Sequence, residues 1–192
     1  GNKTMTTTDQ LTQEIEALEA AATAAQARHE YIDDFAYPPG VQMAVNFTAD
    51  FDAMLLRRLL EEPPMQLSQG EFGGRVGIWR LIELFNSHDI TATVFTPGRI
   101  CELYPKAVTA IAKAGHEVAD HMWEHQVPKD LQLEADHIRK ASDALEKLTG
   151  KRPVGSRSWH SASLLLEEEF IYNSHGMAHH LPYYIRDRDG EN

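Results

Sequence analysis

A chain of 192 residues holds one domain with a sizeable core and is too short for two comfortable ones. Its 18 Lys and Arg stand against 29 Asp and Glu, a net charge of −11, which argues against nucleic acid or an anionic membrane as the main partner. Cys101, the only cysteine, excludes a disulfide framework and a cysteine-based zinc site. No apolar stretch is long enough for a membrane span, and "GNKTMTTTDQ" has no hydrophobic segment of the secretory kind, so a cytoplasmic location is expected.

Thr7 to about Arg28 is predicted helical, with Thr7 and Gln10 as a capping box. Leu11, Ile15, Leu18, Ala22 and Ala25 recur at alternating four- and three-residue steps, a narrow heptad seam. Residues 1–36 therefore read as an N-terminal helical arm, packed on its own domain or joining copies in a homo-oligomer. "YPPG" at 37–40 punctuates the chain, and residues 37–192 read as the α/β domain. There "VQMAVNF" (41–47) is a buried strand candidate, "GGRVGIWRLIELFNSH" a helix and "DITATVF" a second strand. Pro105 to Ala114 is a second helix and "GHEVADH" a third strand. "KDLQLEADHIRKASDALEKLTG" is a long helix whose Leu131, Ala135, Ile138, Leu145 and Leu148 share one face and which Gly150 ends. "RPVGSR" is a short fourth strand, followed by a helix from about Leu164 to Phe170. Alternating strands and helices imply a parallel sheet covered by helices, open or closed into a barrel. Functional groups in such folds gather at the carboxyl ends of the strands, where Asp50, Asp52, His121, His125 and Arg157 fall.

"HMWEH" sets His121 and His125 four apart, a spacing that suits a divalent metal, although a chain with 10 histidines also produces such pairs by chance, as His175 and His179 show. HExxH is absent. Asp50 and Asp52 end an apolar run and, taken alone, fit a solvated strand end. Taken with the histidines, two His and one Asp form a nitrogen–oxygen set with room for water, and a second carboxylate can take that water's proton.

"NFTADFDA", "ITATVFTPG", "AGHEVADHMWEH" and "GKRPVGSRS" come in the order and at about the spacing of the polysaccharide deacetylases, the NodB-homology family, which the chain resembles from about Tyr37 to Ile185. "LSQGEFGGRVGIWRLIELF" and "EEEFIYNSHGMAHHLPYYI" resemble the branch holding peptidoglycan-type deacetylases, metal-dependent allantoinases and cyclic imide hydrolases. The resemblance implies a (β/α) barrel and one divalent metal, expected to be zinc, on Asp52, His121 and His125. It also implies Asp50 as catalytic base and Arg157 as the arginine that orients it. The implied activity is hydrolysis of a carbon–nitrogen amide bond, in an N-acylated sugar or in a small cyclic amide or imide. His116 reads as structural, and Asp120 as a group supporting the ligands.

The sequence departs from the family in four places. Its "R-S-P-x-W" stands here as "RSWHSAS", without the proline, and the stretch from Arg157 to Phe170 is shorter. His179 and His180 replace an acidic pair after "SSLM". The late histidine that protonates the leaving nitrogen has no counterpart before "RDRDGEN", so the barrel is expected to be incomplete at its C-terminal side. His175, His179 or His180 could then serve as acid, or the chain could be a non-catalytic metal-binding assembly protein.

Overall fold

The computed structural model describes the backbone of residues 7–32 and 35–187 and the side chains of 7–20 and 35–185. The chain divides into two compact units, one holding the described residues up to Gln42 and from Met177 onward, the other Met43–Gly176. In the first unit, α1 (Thr7–Arg28) leads into β1 (His29–Ile32), which pairs antiparallel with β7 (Tyr184–Asp187). The helix predicted from Thr7 to about Arg28 spans those residues, while His29–Ile32, inside the predicted helical arm, is a strand. Thr7, expected as the cap, lies inside the helix rather than ahead of it. Leu11, Ile15 and Leu18 of the seam are 54–70 % exposed, while the side chains of Ala22 and Ala25 lie outside the described set.

The second unit is an α/β layer structure, as expected. Five parallel strands lie in chain order: β2 (Thr48–Asp50), β3 (Thr93–Thr96), β4 (Glu117–Asp120), β5 (Gly155–Ser156) and β6 (Tyr172–Asn173). Parallel neighbours need crossovers, and helices supply them. Between β2 and β3 run α2 (Leu55–Leu59), α3 (Pro64–Phe72), a π-helical turn (Gly73–Gly77) and α4 (Ile78–Ser87). Next come α5 (Ile100–Leu103) and α6 (Pro105–Lys113), then α7 (Leu131–Thr149), and α8 (Ala162–Glu167) before β6. β3 is buried at all four positions, as a central parallel strand covered on both faces must be. Phe51, Leu55, Val94, Ile100, Val108, Ile111 and Leu145 form one core cluster, each worth roughly 1.5–3 kcal/mol of burial. Ile138, Leu165 and Phe170 form a second.

α7 has the predicted extent because both ends are capped. The Asp130 carboxylate accepts from the Leu133 N–H at 2.8 Å, and Gly150 turns the chain at φ +75°, a conformation that favours glycine. Three expectations need correction. The strand expected at 41–47 starts only at Thr48, and Val41, Met43, Val45 and Phe47 are exposed. β2 is an edge strand whose one neighbour, β3, begins at Thr93, so the preceding apolar alternation has no ladder to join beyond the Thr93 N–H to Phe47 carbonyl bond. The helix expected over 73–88 opens with the π-helical turn. Leu131, placed on the buried face of α7, is exposed, and Glu134 is buried on that helix instead.

Candidate metal centre

Asp50 and Asp52 sit where β2 ends. The Phe51 N–H donates to the Phe95 carbonyl at 2.8 Å, carrying the ladder one residue further. Side chains alternate across a strand, so burying Phe51 against Tyr104 turns both carboxylates to the opposite face. Ala53 then reverses the chain at φ +47°.

His121 follows β4 directly, and "HMWEH" is a tight loop with Met122 at φ +69° and His125 at φ +58°. Non-glycine residues rarely hold this conformation, and here the surroundings enforce it. Gly98 and Arg99 donate their N–H groups to the carbonyls of Met122 and Trp123 at 2.9 and 3.0 Å. Glu124 accepts from Arg99 and Arg58, and Trp123 is covered by the Arg99 guanidinium and the Lys140 ammonium, 4.9 and 4.0 Å from its ring centre. A Cβ on Gly98 would lie 2.6 Å from the Trp123 ring and 2.7 Å from the Ala141 Cα, so no other residue fits there.

These elements converge. His121 Nε2 lies 3.6 Å from Asp52 Oδ1, and His125 Nε2 lies 3.7 Å from Oδ2. One ligand atom from each of the three residues falls within 4.8 Å of the others. Those separations are too long for hydrogen bonds and suit atoms arranged around a common cation. Asp52 Oδ1 is buried without a hydrogen-bond partner, an arrangement that costs free energy unless something positive meets it. Burial raises the Asp52 carboxyl above its ordinary range, only partly opposed by the two imidazoles, and the Asp50 charge adds to the rise. His121 Nδ1 hydrogen-bonds the Arg157 carbonyl, which puts the proton on Nδ1 and leaves the Nε2 lone pair facing Asp52. The donor set therefore fits a divalent metal.

Arg157 follows β5, and its N–H donates to the Asp120 carbonyl. Its guanidinium donates to Asp50 Oδ1 at 2.6 Å, to the Thr48 hydroxyl at 3.0 Å and to Ser174 Oγ at 3.0 Å. It also lies over the Phe95 ring at 4.1 Å. A fork held on this many sides fixes the carboxylate it grips. Asp120 is fully buried and bonds the Met122 N–H and the Ser156 hydroxyl rather than a ligand histidine. It shapes the loop, and its own carboxyl is pushed up by burial. His116 accepts from the Ala92 N–H, a structural position as expected.

Two features escaped the sequence. Glu134 accepts from the Ser161 N–H, the Ser161 hydroxyl and the buried His160 ring, pinning the segment after Arg157 to α7; its place four residues before Ile138 was the available signal. The Trp159 ring packs edge-on against His125, with ring centres 5.6 Å apart, and also contacts the His175 ring at 5.7 Å. His179 and His180 belong to the other unit, where their rings stack on one another. A cavity of about 340 Å³ is walled by Asp50, Asp52, Arg57, Gln69, Gly73, Gly77, Ile78 and Leu81. A groove of similar size along α6 is lined by Pro105, Lys106 and Lys113 and holds neither carboxylate nor imidazole.

A parallel α/β sheet thus gathers, at its strand ends, an arginine-held carboxylate and a two-histidine, one-aspartate set of the kind that holds a divalent ion. The chain belongs to the polysaccharide deacetylase family, whose model matches residues 73–162. The peptidoglycan deacetylase of Helicobacter pylori is 36% identical over 139 residues, which are 67% of this chain and 47% of that protein. A crystal structure described as that of a polysaccharide deacetylase from Mycobacterium smegmatis superposes with a TM-score of 0.65 at 32% identity, over 72% of this chain and 53% of that one. The structure of Puue allantoinase gives 0.64 at 25% identity, over 71% and 55%. The chain thus spans half or less of the length of the curated relatives it matches, and its sheet corresponds to part of the (β/α) barrel of its structural neighbours.

Proposed function

We propose that this chain carries the metal and base of a hydrolase that cleaves carbon–nitrogen amide bonds. The observation that carries this reading is the joint placement of Asp52, His121 and His125 around one point beside an arginine-gripped Asp50. A divalent metal on those three residues, with zinc the expected ion, would polarise the amide carbonyl and make water a nucleophile near neutral pH. Arg157 occupies Asp50 Oδ1, which leaves Oδ2 to take the proton of the attacking water. The same guanidinium holds that carboxylate in one orientation, as a base requires. Trp159 and the buried flank of the histidine loop shield His125 from solvent. His175, whose ring also contacts Trp159, is the candidate donor to the leaving nitrogen.

The substrate reading has two branches, an N-acylated sugar and a small cyclic amide. The family and the peptidoglycan deacetylase relative support the first; the likeness to an allantoinase supports the second. Metal-loaded protein assayed for acetate release from N-acetylglucosamine oligomers and for ring opening of cyclic imides decides between them, with Asp50→Asn as control. Tight zinc binding without either activity would overturn the hydrolase reading and leave a metal-holding assembly protein. The same proposal has copies associate through α1, whose Leu11, Ile15 and Leu18 are exposed. Light scattering should then report an oligomer for the wild type and a monomer for Ile15→Lys, and equal masses would refute the association.

A further inference from the structure

Four glycines fall within eight residues, Gly70, Gly73, Gly74 and Gly77, along α3 and the π-helical turn. Two are explained by packing. A Cβ on Gly70 would lie 2.5 Å from the Met54 Cα, and one on Gly74 would lie 2.4 Å from the Tyr104 ring. The other two are not. Gly73 (φ −56°, ψ −48°) and Gly77 (φ −59°, ψ −49°) have ordinary right-handed helical backbones that any residue adopts. A Cβ would meet nothing closer than 3.8 Å at Gly73 and 3.7 Å at Gly77. Glycine in a helix is nonetheless disfavoured, so each of these positions costs stability without relieving a clash.

What they leave is space. Both glycines line the cavity of about 340 Å³ that Asp50 and Asp52, the proposed base and a proposed metal ligand, also line. The turn between them is π-helical, a rare insertion found frequently at functional sites. Gln69, Arg57 and Leu81 complete the lining: an amide, a guanidinium already paired with Glu62 at 2.8 Å, and an apolar side chain. The volume is at the small end of ligand pockets.

We propose that this cavity receives a compact, uncharged group flanking the scissile amide, and that Gly73 and Gly77 are specificity-determining residues whose missing side chains set its size limit. The inference rests on the hydrolase reading for the identity of the ligand, and its test is separable because it reads binding rather than turnover. Acetamide, succinimide and glutarimide, neutral amides of rising size, are titrated against the metal-loaded full chain by ligand-observed NMR. Wild type, Gly73→Ala, Gly77→Ala and Leu81→Ala are compared, with melting by calorimetry.

The wild type should bind all three probes. Each alanine in place of glycine should weaken glutarimide by about tenfold or more, and acetamide far less, as expected when a methylene-sized obstacle enters a fitted pocket. The same two variants should melt about 2 °C higher, because alanine lowers the entropy of the unfolded chain. Leu81→Ala should shift preference toward glutarimide. A merely structural role would not raise stability and narrow size tolerance together. Size-blind binding in both glycine variants, equal losses for every probe, or no binding by the wild type would each overturn the inference. Size-dependent binding in a chain that hydrolyses no amide would sustain it and remove the hydrolase reading; turnover with size-blind variants would do the reverse.

Discussion

The two sides of the metal centre are built to different standards of rigidity. The β4 loop is over-determined: Met122 and Trp123 are buried, two left-handed residues are held in place, and Glu124 is gripped by two arginines. The β2 side is a three-residue edge strand preceded by exposed residues 41–47, and its Asp50 depends on one guanidinium. Two of the three candidate ligands, His121 and His125, belong to the stiff side. The third, Asp52, and the proposed base Asp50 belong to the softer one, where the Arg157 fork supplies the restraint that the short strand lacks.

Substitutions can break that contrast in order of size. Asp50→Asn should lower kcat by about 10²–10⁴-fold while leaving zinc content unchanged, because it removes proton acceptance and keeps the ligands. A parallel loss of zinc, read by elemental analysis, would place Asp50 among the ligands instead. Gly98→Ala strikes the stiff side, forcing a methyl into the Trp123 ring and the α7 backbone. It should destabilise by about 1–3 kcal/mol in urea unfolding, and a neutral result would show the loop to be softer than described. His116→Asn is the smallest effect. Burial depresses the His116 imidazole, so the unfolded chain takes up a proton near pH ~6.5 that the folded chain resists. Its contribution is therefore fully present above that pH and is lost as pH falls toward the lowered folded value. The variant, able to accept from the Ala92 N–H in the same way, should show a shallower loss of stability below pH ~6.5, and an unchanged slope would clear His116 of the role.

Much of this was legible in the chain because it is written in local patterns. α7 announces itself by its periodicity and by Asp130 and Gly150 at its ends, and β3 by an apolar run. Asp50, Asp52, His121, His125 and Arg157 were all picked out, and the fold brings them together, since strand ends are where a parallel sheet collects its functional groups. The misses share a cause: they depend on neighbours distant in sequence. Residues 41–47 alternate like a strand, yet whether they pair is decided by where β3 starts. Glu134 looks like a solvated acid on a helix until Ser161 and His160 fold onto it. The π-helical turn leaves no periodic trace over five residues, and its glycines take on meaning only beside the cavity they wall.

Asp52, His121 and His125 are proposed to hold one metal between a stiff loop and a strand end. X-ray absorption at the zinc edge, with zinc content measured on wild type and His125→Ala, tests it most directly. The account predicts one zinc per chain coordinated by two imidazoles and at least one carboxylate oxygen, with zinc lost from the variant. Equal zinc in both proteins, or a coordination sphere without imidazole, would contradict it.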